Sequence, residues 1–434
     1  MTVPGAVRAT VMSVRFSWRP AAAAGVLALA GCSAASPHAP VASPHAPAPA
    51  ARRSAALVAP LGVPGCSIAT ARAPRLPAGL VRLTPVPGDP FGVAATGRWS
   101  FVSLLPAGAG TGAVGVFATS GSAPPRLVRR IPVAQPLGLA FTPDGRYLLA
   151  AQGTGAVVLS VQAAERGGAG AVLGTLSSPR TAGHAPPGGA IEVAVSPDGR
   201  YAFVSLEDSA GIAVFNLARA LASGFRTSGF VGDVPAHLAP VGLAISPGGR
   251  LLYATSEVAS ARPPRPGGLG GSGTLSVIDL REAETDPAHS VVATVTAGCG
   301  PVRVITSADG GVVWVTARES DTLLGFSAAR LLSAPARSLI ARVQVGAAPV
   351  GLALVRGGRQ VVVADSNRFG RPGAATGLAV VSAAAALARR PALAGYLRAG
   401  TFPRQMAVEP GGRTLLVTDF GSRQLETVNV TDLP

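Results

Sequence analysis

Seven times along the chain, a tight corner separates two short apolar runs. The corners end at Arg98, Arg146, Arg200, Arg250, Gly311, Arg359 and Arg413, at intervals of 48, 54, 50, 61, 48 and 54 residues. One copy reads VAVSPDGRYAFVSLEDSAGIAVFNL, from Val193 to Leu217. It holds an apolar run, a Pro-Asp-Gly-Arg corner, a second run, a loop and a third run. The runs are short, Val-rich and broken by Gly and Pro, which excludes tandem helices. A period of about 50 residues with several strands in each unit predicts a propeller. The runs are nearly continuous rather than alternating, as befits blades buried on both faces. The expected fold is therefore all-β: a seven-bladed β-propeller of four-stranded antiparallel blades.

The two ends of the array predict how it closes. The last copy supplies only three strands, RQMAVEP, RTLLVTD and QLETVNV, before Pro434. One strand stands unclaimed ahead of the first corner, GLVRLTPV, Gly79–Val86. Placing it in the seventh blade closes the ring and removes both exposed sheet edges. The domain organisation that follows is a leader over 1–31, a tether and arm over 32–75, and the propeller over 76–434.

The leader carries Arg8, Arg15 and Arg19 ahead of the apolar run Ala21 to Ala30, a core too short to span a bilayer. It ends in Leu29-Ala30-Gly31-Cys32, which resembles a bacterial lipobox. That resemblance implies cleavage before Cys32, lipidation of its sulfur, and a protein anchored to the outer face of the cytoplasmic membrane. The Pro-, Ala- and Ser-rich segment that follows cannot form a core and reads as a tether. Its His38 and His45 sit in duplicated SPHAP units, a low-complexity feature rather than a metal site.

The second strands contain FVSL, LAAQ, FVSL, YATS, WVTA, VVAD and LVTD, the last ending at Asp419. These are similar to the Tyr-Val-Thr-Asn motif of the YVTN repeat family, which includes YncE-like proteins. The resemblance spans about Gly79 to Val430, implies the same propeller, and extends more distantly to propeller lactonases. The Asn of the motif is absent from all seven copies, and blade one lacks the Pro-Asp half of its corner.

Candidate site residues emerge from counting along each first strand, with Pro or its equivalent as position one. Position three is Gly92, Gly138, Glu192, Gly242, Arg303, Gly351 and Gln405. Glu192, Arg303 and Gln405 are thus expected at the mouth of the channel, either as an ion pair that plugs it or as anchors for a small polar ligand. His184 and His237 lie in loops entering blades three and four, on the same rim. Insertions in blades one, four and six (LLPAGAGTG, EVASARPPRPGGLGGSG and SNRFGRPGAATG) also fall there. Loops that converge on an axis are where propellers take ligands. Cys66 and Cys299 remain after Cys32, and a pair of cysteines in an exported chain suggests a disulfide. Such a bond is expected to draw the arm across the rim and partly cover the mouth.

The chain has no lysine; its 37 basic residues are all arginine and outweigh 21 acids, giving +16. They are scattered and aromatics are only 5%, which argues against nucleic acid as a partner. There is no haem-attachment motif, only five histidines, and no acidic cluster for calcium. No cofactor and no metal are expected. The segment GGLGGSG has no Lys or helix after it to make a phosphate loop. Two functions of different class stay open. One is a non-catalytic binding or scaffold module for a protein, a cell-envelope component or a small molecule at the rim. The other is a lactonase-like hydrolase using Glu192, Arg303 and His237, since hydrolysis needs a base and an oxyanion-holding cation. A monomer tethered to the membrane through Cys32 is expected.

Overall fold

The computed structural model describes residues 59–434, except 67–68, 109, 120–123, 180–188 and 260–270. The leader, most of the tether, Cys32 and His184 lie outside the described residues. Seven four-stranded sheets follow one another, and within six of them the strands pair only with their sequence neighbours. The seventh sheet runs Val81–Pro85, Gln424–Asn429, Thr414–Asp419, Pro403–Val408. Its outermost strand comes from the N-terminal side of the array, in the register Val81↔Val428 to Pro85↔Gln424. The expected closing strand is thus present; its first residues form a short 3-10 turn at Ala78–Leu80 before the pairing begins. First strands of consecutive blades touch all round, including the seventh against the first. The result is a closed seven-bladed β-propeller.

The core is divided as the architecture requires. Seven apolar clusters of described residues each combine side chains of two consecutive blades. Phe101, Val116, Leu148 and Leu159 meet between blades one and two, for example, and Val102, Phe117, Leu416 and Leu425 close the seam between blades one and seven. No blade can hide both faces alone, so burial drives the ring shut. In blades two to six a short helix follows the third strand: Val161–Arg166, Leu217–Ala222, Leu280–Thr285, Ala328–Ser333 and Ala383–Leu387. Each is capped by the strand's last residue, Ser160, Asn216, Asp279, Ser327 or Ser382, whose side chain accepts a helix N–H.

The repeated corners fold through their side chains as well as their glycines. Asp144 accepts from Thr142 Oγ1 at 2.5 Å and from the Arg146 N–H at 3.0 Å. Asp198 does the same with Ser196 and Arg200. The following Gly145 and Gly199 take φ near +70°, which a side chain would disfavour. The arginine after the corner therefore contributes its backbone N–H to the turn.

Candidate ligand site at the channel mouth

The third residue of the four-residue motif in each second strand explains how the first strands are held around the axis. In blade three, Ser205 Oγ accepts the Glu192 N–H at 3.1 Å and donates to the Val241 carbonyl of blade four at 3.2 Å. Thr255 links Gly242 to Val302, Thr316 links Arg303 to Val350, and Thr418 links Gln405 to Phe91 across the closing seam. Ser103 links Gly92 to Leu137 in the same way. Each hydroxyl thus ties position three of its own blade to position two of the next. Blades two and six carry Ala151 and Ala364 here; at the first of these seams the Gly138 N–H donates directly to the Ile191 carbonyl at 2.9 Å.

Ladder registers slip after position one in six of the seven first strands, for example between Ala190 and Val193, Pro301 and Val304, and Pro403 and Met406. Such bulges re-aim side chains, and here positions two and three both reach the axis. Position two supplies Phe91, Leu137, Ile191, Val241, Val302 and Val350, which form one apolar cluster with Leu105, Phe402 and Phe420. Members from six different blades can pack together only on the axis. The seventh blade breaks this ring with Arg404.

Position three brings Glu192, Arg303 and Gln405 together from blades three, five and seven. Arg303 Nε donates to Gln405 Oε1 at 2.9 Å, and Gln405 Nε2 donates to Glu192 Oε2 at 3.0 Å. Arg303 Nε lies 3.3 Å from Glu192 Oε2. Each of these three side chains is flanked on both sides by a blade with glycine at position three. A Cβ on Gly138 would fall 2.6 Å from Glu192 Oε1 and 2.7 Å from the Ile191 carbonyl, so this glycine clears space for Glu192, while a Cβ on Gly92, Gly242 or Gly351 would meet a backbone carbonyl of the next blade. Burial pushes the Glu192 carboxyl up, opposed by the Arg303 charge and the Gln405 N–H. Arg303 is only 5% exposed, yet its Nη1 and Nη2 are buried without a hydrogen-bond partner.

Arg404 lies over the Phe91 ring at 3.7 Å from guanidinium carbon to centroid, with Phe402 and Phe420 at 5.5 and 5.8 Å. Burial, and then the Arg303 charge, hold its guanidinium well below the usual arginine range. Further out, Arg318 grips Glu257 with two hydrogen bonds of 2.8 and 2.7 Å. Arg318 and Arg368 each sit 5.8 Å from the ring of Phe369, an exposed residue of the blade-six insertion.

The remaining candidates are placed differently. His237 Nδ1 is 2.8 Å from the Ala259 carbonyl of its own blade, whereas Glu192 and Arg303 bond to Gln405. Cys66 and Cys299 are joined, with Cα atoms 5.2 Å apart. The arm meets the rim at Cys299 and at the blade-six insertion, where Arg75 Nη1 donates to the Thr376 carbonyl at 2.8 Å. It follows the outer strands of blades five and six, where Ala71 N–H donates to Val345, Arg342 to Gly62, and Tyr396 Oη to Ala71 at 2.8 Å. The physical reason is that those edge strands offer unpaired backbone groups, as the Leu76–Tyr396 and Tyr396–Pro74 bonds show. Among the described residues, no group of three or more His, Cys, Asp or Glu side chains could hold a metal ion. Arg404 was missed by position-three counting, although position two, read down the seven copies, singles it out.

No protein-family model matches the chain, and no curated protein does. Among solved structures, the hydrazine synthase of Kuenenia stuttgartiensis is similar, with a TM-score of 0.59 and 15% identity. The match covers 80% of this chain and 97% of that one. At that identity the likeness is one of fold, and it identifies the chain as a β-propeller protein.

Proposed function

We propose that this chain is a non-catalytic binding propeller, tethered outside the cytoplasm by a lipid on Cys32, with its ligand site at the channel mouth. The observation that carries this reading is the meeting of Glu192, Arg303 and Gln405 on the axis, beneath a mouth to which every blade contributes. Three glycine-flanked polar side chains spaced around a ring form a fixed, preorganised floor, which is what selective binding needs. The hydrolase reading has less support. A general base must face the water that it activates, whereas Glu192 Oε2 already receives Gln405 and Arg303, and His237 is engaged with Ala259. The lipobox-like Leu29–Cys32 supports the tether, and two acyl chains give lasting attachment.

Three experiments test the reading. Labelled palmitate should enter the wild-type protein and not Cys32→Ala, which should leave the membrane fraction; a labelled, membrane-bound Cys32→Ala would refute the tether. Pull-down from intact membranes should capture a ligand or partner that Glu192→Gln and Arg303→Lys lose. A pH-stat lactone panel should show no turnover; sustained turnover abolished by Glu192→Gln would reverse the choice in favour of the enzyme.

A further inference from the structure

A guanidinium has five N–H donors and no acceptor capacity. Leaving such donors buried and unused is costly, more so when the group is charged. Two guanidiniums at the mouth are in that state. Arg303 spends Nε on Gln405 and Glu192, while Nη1 and Nη2 have no partner. Arg404 contacts three phenyl rings, and its Nε is likewise buried without an acceptor. The Arg303 charge bears on Arg404, and Glu192 also feels Arg404. Glu192 and Glu207 both bear on Arg404; what stays unmet is not a charge count but the buried N–H donors of Arg303 and Arg404, which face no acceptor.

The walls narrow the choice of anion. Phe91, Leu137, Ile191, Val241, Val302 and Val350 ring the site and present no hydrogen-bonding side chain. Outside them, Glu207, Glu257 and Glu319 outnumber Arg318 and Arg368 by one, so the approach disfavours a polyanion. Resting on the reading of the mouth as a ligand site, we propose that the ligand is a small monocarboxylate on a flat apolar body. Its carboxylate accepts from the free Arg303 and Arg404 N–H groups, and its body lies against the apolar ring. Charge-assisted hydrogen bonds of this kind are among the stronger polar contacts available.

Benzoate and phenylacetate titrated calorimetrically into the full chain test this directly, with benzamide as the neutral control. One carboxylate should bind per chain, and benzamide should bind at least about tenfold more weakly. Arg404→Met keeps the packing on Phe91, and Arg303→Lys keeps a charge beside Glu192. Each should weaken benzoate by about tenfold or more, and benzamide by less, because its neutral carbonyl accepts more weakly from the same N–H groups. Absence of saturable carboxylate binding, equal affinity for benzamide, or parent-like benzoate binding in both variants would overturn the proposal. If benzamide or an acidic peptide binds with no carboxylate preference and Phe91→Ala abolishes it, the ligand class is wrong and the mouth stands. A membrane partner captured equally well by Glu192→Gln and Arg303→Lys would instead remove the mouth as the site.

Discussion

Thr418→Val isolates one inter-blade tie at the seam that closes the ring. Thr418 is fully buried, accepts the Gln405 N–H at 3.0 Å and donates to the Phe91 carbonyl at 2.8 Å. Valine keeps the shape and replaces the hydroxyl with a methyl, so both backbone groups lose a partner where water does not reach them. Each orphaned group costs about 1–3 kcal/mol, offset in part because the hydroxyl need no longer be desolvated; a net loss of about 2–4 kcal/mol follows. A propeller of about 360 residues unfolds with an entropy of roughly 0.8 kcal/mol/K, so the melting temperature should drop by about 3–5 °C. Scanning calorimetry at a fixed scan rate reads this, with Thr401→Val, at an exposed loop position, as the control. Because the tie fixes Gln405 and Phe91, carboxylate affinity should fall as well. A Thr418→Val protein that melts with the control would refute the claim that these hydroxyls hold the first strands in place.

Other consequences concern pH, redox state and the seams that lack a hydroxyl. Burial pushes Asp419 up to about 7 and Glu426 well above the usual carboxylate range. Both acids ionise at about pH 4 in the unfolded chain, so above that pH the unfolded state sheds protons that the native state keeps. Stability should therefore fall as pH rises from about 4 towards 7 and beyond; melting curves of Glu426→Gln should be flatter over that range, and an unchanged slope would contradict the assignment. Reducing the Cys66–Cys299 bond, which spans 233 residues, should free the arm for trypsin at Arg72 and Arg75 and lower the melting temperature. Equal cleavage before and after reduction would show that the arm holds without it. Ala364→Ser should supply the tie missing between blades six and seven and raise stability by about 0.5–1.5 kcal/mol; a destabilised variant would show that the site has no room.

Much of this was legible because repeats make the sequence its own control. The corner spacing fixed the blade count, and the unclaimed run before Arg98 predicted the closing strand. Position three singled out Glu192, Arg303 and Gln405 because Gly occupies the other four copies. Arg404 escaped because it follows Pro403 directly, and a regular strand would aim positions two and three to opposite faces. The bulge that brings both to the axis is a backbone feature without a residue signature. The short helices were legible in principle: Ser160, Asn216, Asp279, Ser327 and Ser382 are capping residues at one place in five copies. The arm's path was not, since an exposed Cys66 joined to Cys299 fits either a route over the mouth or one along the outer strands. Unpaired backbone on the outer strands, visible only in three dimensions, is what holds the described residues of the arm.

The most direct test of the binding site is crystallographic. Crystals of the protein soaked in 4-bromobenzoate should give a bromine anomalous peak on the channel axis among Phe91, Ile191, Val241, Val302 and Val350, with the carboxylate against Arg303 and Arg404. A bromine peak only on the outer faces of the blades, or none at a concentration that saturates the calorimetric signal, would contradict it.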